Sequence, residues 1–535
     1  MSRFIHAAIA ALCAAVAING CGGNGAGDAP NIVLAAEAEN GVGTAALPSP
    51  SETSAVPIPA GQIEAAIAQL DGLAAGILAR SGIPGMAVAV VHGGKTVYAK
   101  GFGLRERGKS ETVDADTVFQ LASVSKPIGA TVIANQVTAG VVGWDTPVQS
   151  RLPGFTLSDP YVGQQVTIGD LYAHRSGLPD HAGDKLEDLG YGRTEVLQRL
   201  RLVPLAPFRI TYAYTNFGLT AGAEAVAKAS GMDWATLSER AVYQPLGMAS
   251  TSSRYADYLN RPNRAVTHLL VDGGYIPGPP RDPDAQSPAG GVSSSANDMA
   301  KWLRFLLEAA TTAGRQQEQP SALLPAITPQ MISSVPANAN ERAGFYGYGF
   351  NVGTSASGRV VLSHSGAFYL GAATSFAAIP SADVAIVVLA NATPTGMPEA
   401  LVTQFTDLVQ FGSIQRDWES AYRERFQPYL TPVGSLVGAE RPTNPKPPQA
   451  LTAYAGTYRN DYYGPLQVLN NNGTLELRLG PKPTVYKLSH WDGDVFTFPL
   501  LSENAPRGSL SKVTFSPGKV DLEYFNDEGL GVFVR

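Results

Sequence analysis

Apolar residues along this chain recur at two distinct spacings. Ile63, Ala66, Ile67, Leu70, Leu73, Ile77 and Leu78 share one face of a 3.6-residue period, which predicts a helix over 63–79. Met86 to Val91 and Thr96 to Gly101, joined by His92-Gly93-Gly94-Lys95, predict a β-hairpin. From Ile128 to Ala139 only Thr131, Asn135, Gln136 and Thr138 are polar, so this run reads as a buried helix closed by Gly140. An Ala-rich helix follows Asn216 to Ser230, and a serine-capped one runs through Leu307. Arg359 to Ser363, Ala372 to Ile379 and Val384 to Ala390 read as strands, covered by a helix from Pro398 to Val409. The first and last of these elements are expected to share one sheet.

The pattern changes at both ends. Residues 1–21 hold Arg3 and an apolar stretch from Ala7 to Ile18, too short to cross a bilayer, and end in Ile18-Asn19-Gly20-Cys21. This reads as a secretory signal whose end resembles the lipobox of bacterial lipoproteins. That implies lipidation at Cys21 and a place on the periplasmic side of a bacterial membrane. Asn19 departs from the usual small or hydroxyl residue there, which leaves ordinary signal-peptidase cleavage nearby as the alternative. Residues 22–62, rich in Gly, Ala, Pro and Ser, read as a flexible tether, and the folded hydrolytic unit is expected over 63–411. Over 412–449 a charged helix from Asp417 to Phe426 leads into the proline-rich Arg441 to Pro448, a linker. Residues 450–535 hold seven or eight short alternating strands between Asn, Gly, Pro and Asp turns, which predicts a small antiparallel barrel.

Composition narrows the chemistry. Of the two cysteines, Cys13 and Cys21, the first would be lost with the signal, so no intramolecular disulfide remains to the mature chain. Thiolate metal sites are excluded, and the seven histidines show no close pairing of ligand type. No metal and no cofactor is therefore expected. A net charge of −6 on 535 residues argues against nucleic acid as a partner.

The candidate chemistry lies in Ser123-Val124-Ser125-Lys126. A serine hydroxyl is a weak nucleophile until a base takes its proton, and a lysine three residues on in a helix projects from the same face. Burial of the helix that follows would lower the lysine pKa and suit it to that role, while the first helical turn favours the negative charge that develops. Ser509-Leu510-Ser511-Lys512 repeats the pattern among strand-like residues, where positions three apart face opposite sides, and is set aside. His174, at a helix end, is read as structural rather than as part of a Ser-His-Asp triad.

Two further motifs follow in order, Tyr214-Thr215-Asn216 before a helix and His364-Ser365-Gly366 between predicted strands. The alternatives Tyr258-Leu259-Asn260, His92-Gly93-Gly94 and His181-Ala182-Gly183 lie elsewhere in the order. With Ser123-x-x-Lys126 these motifs resemble the active-site set of the serine β-lactamase and penicillin-binding-protein superfamily. The class C β-lactamase-like branch, which includes D-alanyl-D-alanine carboxypeptidases, D-aminopeptidases and esterases, is the nearest likeness. His174 to Pro179 and Pro288 to Gly291 resemble it too.

The resemblance implies an α/β (α+β) fold, in which an antiparallel sheet is flanked by helices and a helical subdomain is inserted between the hairpin and the later strands. It also implies that the C-terminal barrel is lipocalin-like. Ser123 would be the nucleophile, with Lys126 and Tyr214 as acid and base and the principal base left open between them. Backbone N–H groups of Ser123 and Ala367 would form the oxyanion hole, and Asn216, His364, Ser365 and Gly366 would bind substrate. The substrate would be a small ester or a peptide. Many relatives carry lysine where His364 stands. A histidine titrating near 6.5 would anchor carboxylates poorly at pH 7.5 and better at pH 6. Esterase-type hydrolysis is thus the favoured expectation, with D-residue peptidase, β-lactamase and an inactive peptidoglycan-fragment binder as the alternatives.

Overall fold

The computed structural model describes residue 54 and residues 56–312 and 321–535. The signal, Cys21 and most of the expected tether lie outside the described residues.

The hairpin forms as β1 (Gly85–His92) and β2 (Lys95–Gly103). It joins β3 (Met331–Ser334), β4 (Gly344–Tyr346), β5 (Asn351–Thr354), β6 (Val360–Phe368), β7 (Ala372–Ile379) and β8 (Val384–Ala390) in one antiparallel sheet ordered β2-β1-β8-β7-β6-β5-β4-β3. The first strands thus pair with the last, Met86 opposite Ala390. Val88, Val90, Ile386 and Val388 point to one face, where α1 (Gln62–Ala68), α2 (Leu70–Ser81) and the later helix Met397–Phe411 cover them. Ala87, Ala89, Val387 and Leu389 point to the other, toward α3 (Ser125–Thr138), α4 (Asn216–Ser230) and α5 (Ala296–Thr312). The expected helix over 63–79 is two helices. Their apolar faces continue through Ile63, Ala66, Leu70, Ala74 and Ile77, but at Gln69 the N–H bonds back to Ala66, three residues away, and breaks the ladder. Periodicity carries no trace of such a break, because the buried face is in phase on both sides of it.

His364-Ser365-Gly366 does not separate two strands as expected. It lies within β6, which pairs with β7 from Leu362 opposite Ala378 to Phe368 opposite Ala372. Pairing with β5 stops at Ser363, so the other edge of β6 is open beyond that residue.

The C-terminal strands form two sheets, of four strands over 456–487 and of five over 489–534, rather than one continuous barrel. Their seam is bridged where Arg459 and Val534 exchange backbone bonds of 2.6 and 3.0 Å. The buried apolar residues of this unit are continuous with the core around α3 and α4. Packing, not a linker alone, therefore holds it on the hydrolytic unit. Ser502 Oγ donates to Asp188 Oδ2 at 2.7 Å and Asn504 Nδ2 to the same oxygen at 2.9 Å. Ser509 lies in the strand Ala505–Ser516, fully buried, accepting from the Val433 N–H and donating to the Pro506 carbonyl. That role is structural.

Candidate active site

The sharp entry to α3 decides where the nucleophile stands. Ala122 holds φ 48°, the left-handed region that a β-carbon disfavours, and opens a 3₁₀ turn over Ala122–Val124 that presents Ser123 at the surface of a cavity. Ser125 Oγ accepts from the Val292 N–H at 2.9 Å, tying this turn to the segment after Gly291. Gly366 on β6 packs directly beneath. A β-carbon there would stand 2.2 Å from the Leu121 carbonyl oxygen and 3.1 Å from the Ser123 nitrogen, so only glycine lets the open edge of β6 approach the turn.

Lys126, in the first turn of α3, is fully buried. Its Nζ lies 3.0 Å from Ser123 Oγ, 2.8 Å from Asn216 Oδ1 and 3.0 Å from the Ala289 carbonyl oxygen, and 4.5 Å from the centroid of the Tyr214 ring. The two carbonyl oxygens can only accept, so they take two Nζ protons. The third direction, toward Ser123, carries either the remaining ammonium proton or, in the neutral amine, the lone pair. A neutral Lys126 whose two protons go to those oxygens presents its lone pair to the serine hydroxyl. This arrangement can deprotonate Ser123 without a side-chain rearrangement.

Asn216 opens α4 and donates from Nδ2 to Asp184 Oδ2 at 2.8 Å. The same carboxylate oxygen accepts from His181 Nδ1 at 2.7 Å. Ser123, Lys126, Asn216, Asp184 and His181 thus form one polar chain through the cavity wall. Burial pushes the His181 pKa down, but Asp180 and the bond to Asp184 outweigh it and leave it raised. Tyr214, buried, is held by ring contact with His174 at 4.4 Å between centroids. His174 accepts the Thr215 N–H at Nδ1, 3.1 Å away, and burial drives its pKa well below the usual value. A neutral imidazole that positions the Tyr214 segment fits the structural role read from sequence.

His364 departs from expectation. It is 1% exposed, with Nδ1 2.7 Å from the Ser365 carbonyl oxygen and Nε2 2.9 Å from the Tyr346 hydroxyl. A carbonyl can only accept, so Nδ1 bears the proton and Nε2 takes the tyrosine's. Burial and then the nearby Lys126 lower its pKa to about 3. A gain of charge between pH 7.5 and 6 is therefore not expected of this imidazole, whose ring lies beside that of Tyr214, 6.4 Å between centroids, while Ser365 and Ala367 line the cavity.

The cavity itself is small, about 90 Å³, and is lined by Ser123, Tyr214, Asn216, Ser365 and Ala367 together with residues no motif indicated. His181 and Asp184 come from the inserted helical region, Arg281 from an irregular stretch, Tyr429 from the end of the helix Trp418–Leu430, and Glu503 from the C-terminal unit. His181-Ala182-Gly183, set aside as a motif, enters the site through its imidazole alone. Nothing in local pattern marks the others, since each is a single side chain brought in by tertiary packing. Arg281 bridges two carboxylates, Nη2 to Glu187 Oε2 at 2.6 Å and Nη1 to Glu503 Oε1 at 3.0 Å. Among the described residues no group of three His, Cys, Asp or Glu side chains is set to hold a metal.

Comparison with known proteins agrees with this geometry. The β-lactamase family model matches residues 70–411, and a domain of unknown function, DUF3471, matches 440–522. Unguisins hydrolase ungD of Aspergillus violaceofuscus is 25% identical over 82% of this chain and 84% of its own length. Penicillin-binding protein 4 of Amycolatopsis lactamdurans is 31% identical, but over 42% of this chain and 60% of its own. Esterase EstB of Burkholderia gladioli is 31% identical over 34% of this chain and 50% of its own length. The octameric penicillin-binding protein homologue of Pyrococcus abyssi superposes with a TM-score of 0.58 at 21% identity, covering 85% of this chain and 98% of that one, which speaks for the fold alone. With the family model spanning more than half of the chain, this protein belongs to the β-lactamase family and is a hydrolase of the serine β-lactamase fold.

Proposed function

We propose that the protein hydrolyses small, uncharged acyl esters through an acyl-enzyme on Ser123. The observation that carries the chemistry is the Lys126 amine, 3.0 Å from Ser123 Oγ with its other two directions taken by acceptors. Nζ takes the hydroxyl proton as Oγ attacks the ester carbonyl. The oxyanion that develops is met by the backbone N–H groups of Ser123 and Ala367, on the turn and on the open edge of β6. Tyr214 passes a proton to the departing alkoxide, giving the alcohol and acyl-Ser123. Water, activated at the same Lys126 and Tyr214, then releases the acid and restores the serine.

The preference for an uncharged substrate rests on two features. His364 stays neutral, and the Arg281 cation that lines the cavity is already paired with Glu187 and Glu503. The small cavity suits a short acyl group. A panel of short chromogenic esters, D-amino-acid amides and a chromogenic cephalosporin tests the reading. The expected result is a higher kcat/KM for the neutral esters, and a D-peptide or cephalosporin turned over faster than every ester refutes it.

A further inference from the structure

The cavity holds a cation of the kind that recognises a substrate carboxylate, yet a carboxylate of the protein is already on it. Arg281 is 9% exposed and its guanidinium stacks over the Phe368 ring at 4.3 Å, one residue beyond Ala367 on β6. It therefore lies beside the stretch of β6 that carries Ala367, the proposed second donor to the oxyanion. One arm of the fork is engaged by Glu187 at 2.6 Å, from the short helix Asp184–Asp188 of the hydrolytic unit. The other is engaged at 3.0 Å by Glu503, which stands at the tip of the hairpin joining the C-terminal strands Val495–Ser502 and Ala505–Ser516.

Glu503 is not a casual partner. Its carboxylate also accepts the Tyr369 N–H at 2.8 Å and the Leu370 N–H at 3.3 Å, and the hairpin is pinned on both sides by Asn504 to Asp188 and by the Arg507 N–H to the Tyr369 hydroxyl. Fixed backbone donors and a guanidinium converging on one anion are what a carboxylate-binding subsite requires. Here the ligand is tethered to the chain itself.

We propose that Glu503 is a specificity-determining residue that occupies the carboxylate subsite at Arg281 in place of a substrate anion. The C-terminal unit thereby sets the substrate class of the hydrolytic unit, admitting neutral acyl groups and turning away those with a carboxylate beside the scissile bond. An isosteric loss of charge at residue 503 hands one arm of Arg281 back to substrate, whereas the nucleophile and its base are left in place.

This inference rests on acylation at Ser123 and deepens the esterase reading, so its test uses probes that need acylation only. A fluorescent penicillin carries the carboxylate, and a fluorophosphonate is a neutral label. The ratio of their second-order labelling rates is measured on the full chain for wild type, Glu503→Gln and the double variant Glu503→Gln with Arg281→Lys. The expected ratio rises at least about tenfold in Glu503→Gln, a change of the size one charged hydrogen bond produces, and falls back in the double variant, because lysine cannot offer the fork. If Glu503→Gln does not fold, Glu503→Asp, which withdraws the charge by one methylene, is expected to show a smaller rise. An unchanged ratio in the folded variant, or a rise that survives loss of Arg281, overturns the assignment. Fluorophosphonate labelling without turnover of any ester would instead refute the esterase reading and leave the ratio still measurable.

Discussion

Replacing Lys126 by methionine separates what this residue does for the fold from what it does for the reaction. The side chain keeps its length in a fully buried site, so little volume is lost. Three hydrogen bonds disappear, to Ser123 Oγ, Asn216 Oδ1 and the Ala289 carbonyl. The last two oxygens are left in a buried wall, at about 1–3 kcal/mol each, or roughly 2–6 kcal/mol together. Against this stands the relief of removing a buried amine, which offsets several kcal/mol. The net change in stability is therefore expected to be small, within about 3 kcal/mol. Activity has no such offset, because the proton acceptor is gone and the serine hydroxyl is far less nucleophilic than an alkoxide. A general base contributes about 10²–10⁴-fold, and together with the lost orientation of Ser123 a fall of at least about 10³ in kcat is expected, roughly 4 kcal/mol of barrier. The assay pairs ester turnover with thermal unfolding and fluorophosphonate labelling of Ser123. Adding Ser123→Ala to Lys126→Met should cost little more than either change alone, since the two act as one unit. Turnover within tenfold of wild type in a folded Lys126→Met protein would refute the base assignment and shift that role to Tyr214.

Ser123→Ala should abolish labelling and lower kcat on the order of 10⁴-fold, while Ser509→Ala leaves the chemistry and costs about 1–3 kcal/mol of stability through the unpaired Val433 N–H; inactivation by the second change alone would identify the wrong serine. A third expectation concerns Glu399 in the first turn of the helix Met397–Phe411, whose pKa burial raises to about 7, with Ser365 opposing. Between its unfolded value near 4.5 and 7 the native state binds the extra proton, so its contribution to stability is complete below 4.5 and lost as pH rises through 7. The unfolding free energy of wild type relative to Glu399→Gln should therefore drop by up to roughly 3 kcal/mol between pH 4.5 and 7.5, and a pH-independent difference measured by denaturant titration would refute the assignment.

The secondary structure that carries the catalytic pair was legible because its determinants are local. A largely apolar run, with only Thr131, Asn135, Gln136 and Thr138 polar, pointed to a buried helix at α3, and two residues three apart at its entry must share a face. The run realised from Ser125 to Thr138 and the 3.0 Å contact of Lys126 with Ser123 follow from that. The antiparallel sheet was likewise visible as short apolar runs between turns and its covering helices as period-3.6 patterns, and the ordered motifs located Tyr214 and Asn216. Other features depend on contacts between segments far apart in the chain. His364 as a sequence symbol carries an ordinary imidazole pKa, and only its burial, with Lys126 nearby, lowers that pKa to about 3 against the opposing bond to the Ser365 carbonyl. Asp184, Arg281 and Glu503 belong to three separate stretches with no shared period, and what unites them is the docking of the C-terminal hairpin on the hydrolytic unit. Pairing within strands is set by short-range alternation, which is why those C-terminal strands could be read, whereas the division into two sheets depends on which strands meet across the unit. The Ser123–Lys126 pair was thus written in local sequence. The charge of the cavity lining was decided by packing, because desolvation and ion pairing exist only once distant residues enclose a group and exclude water from it.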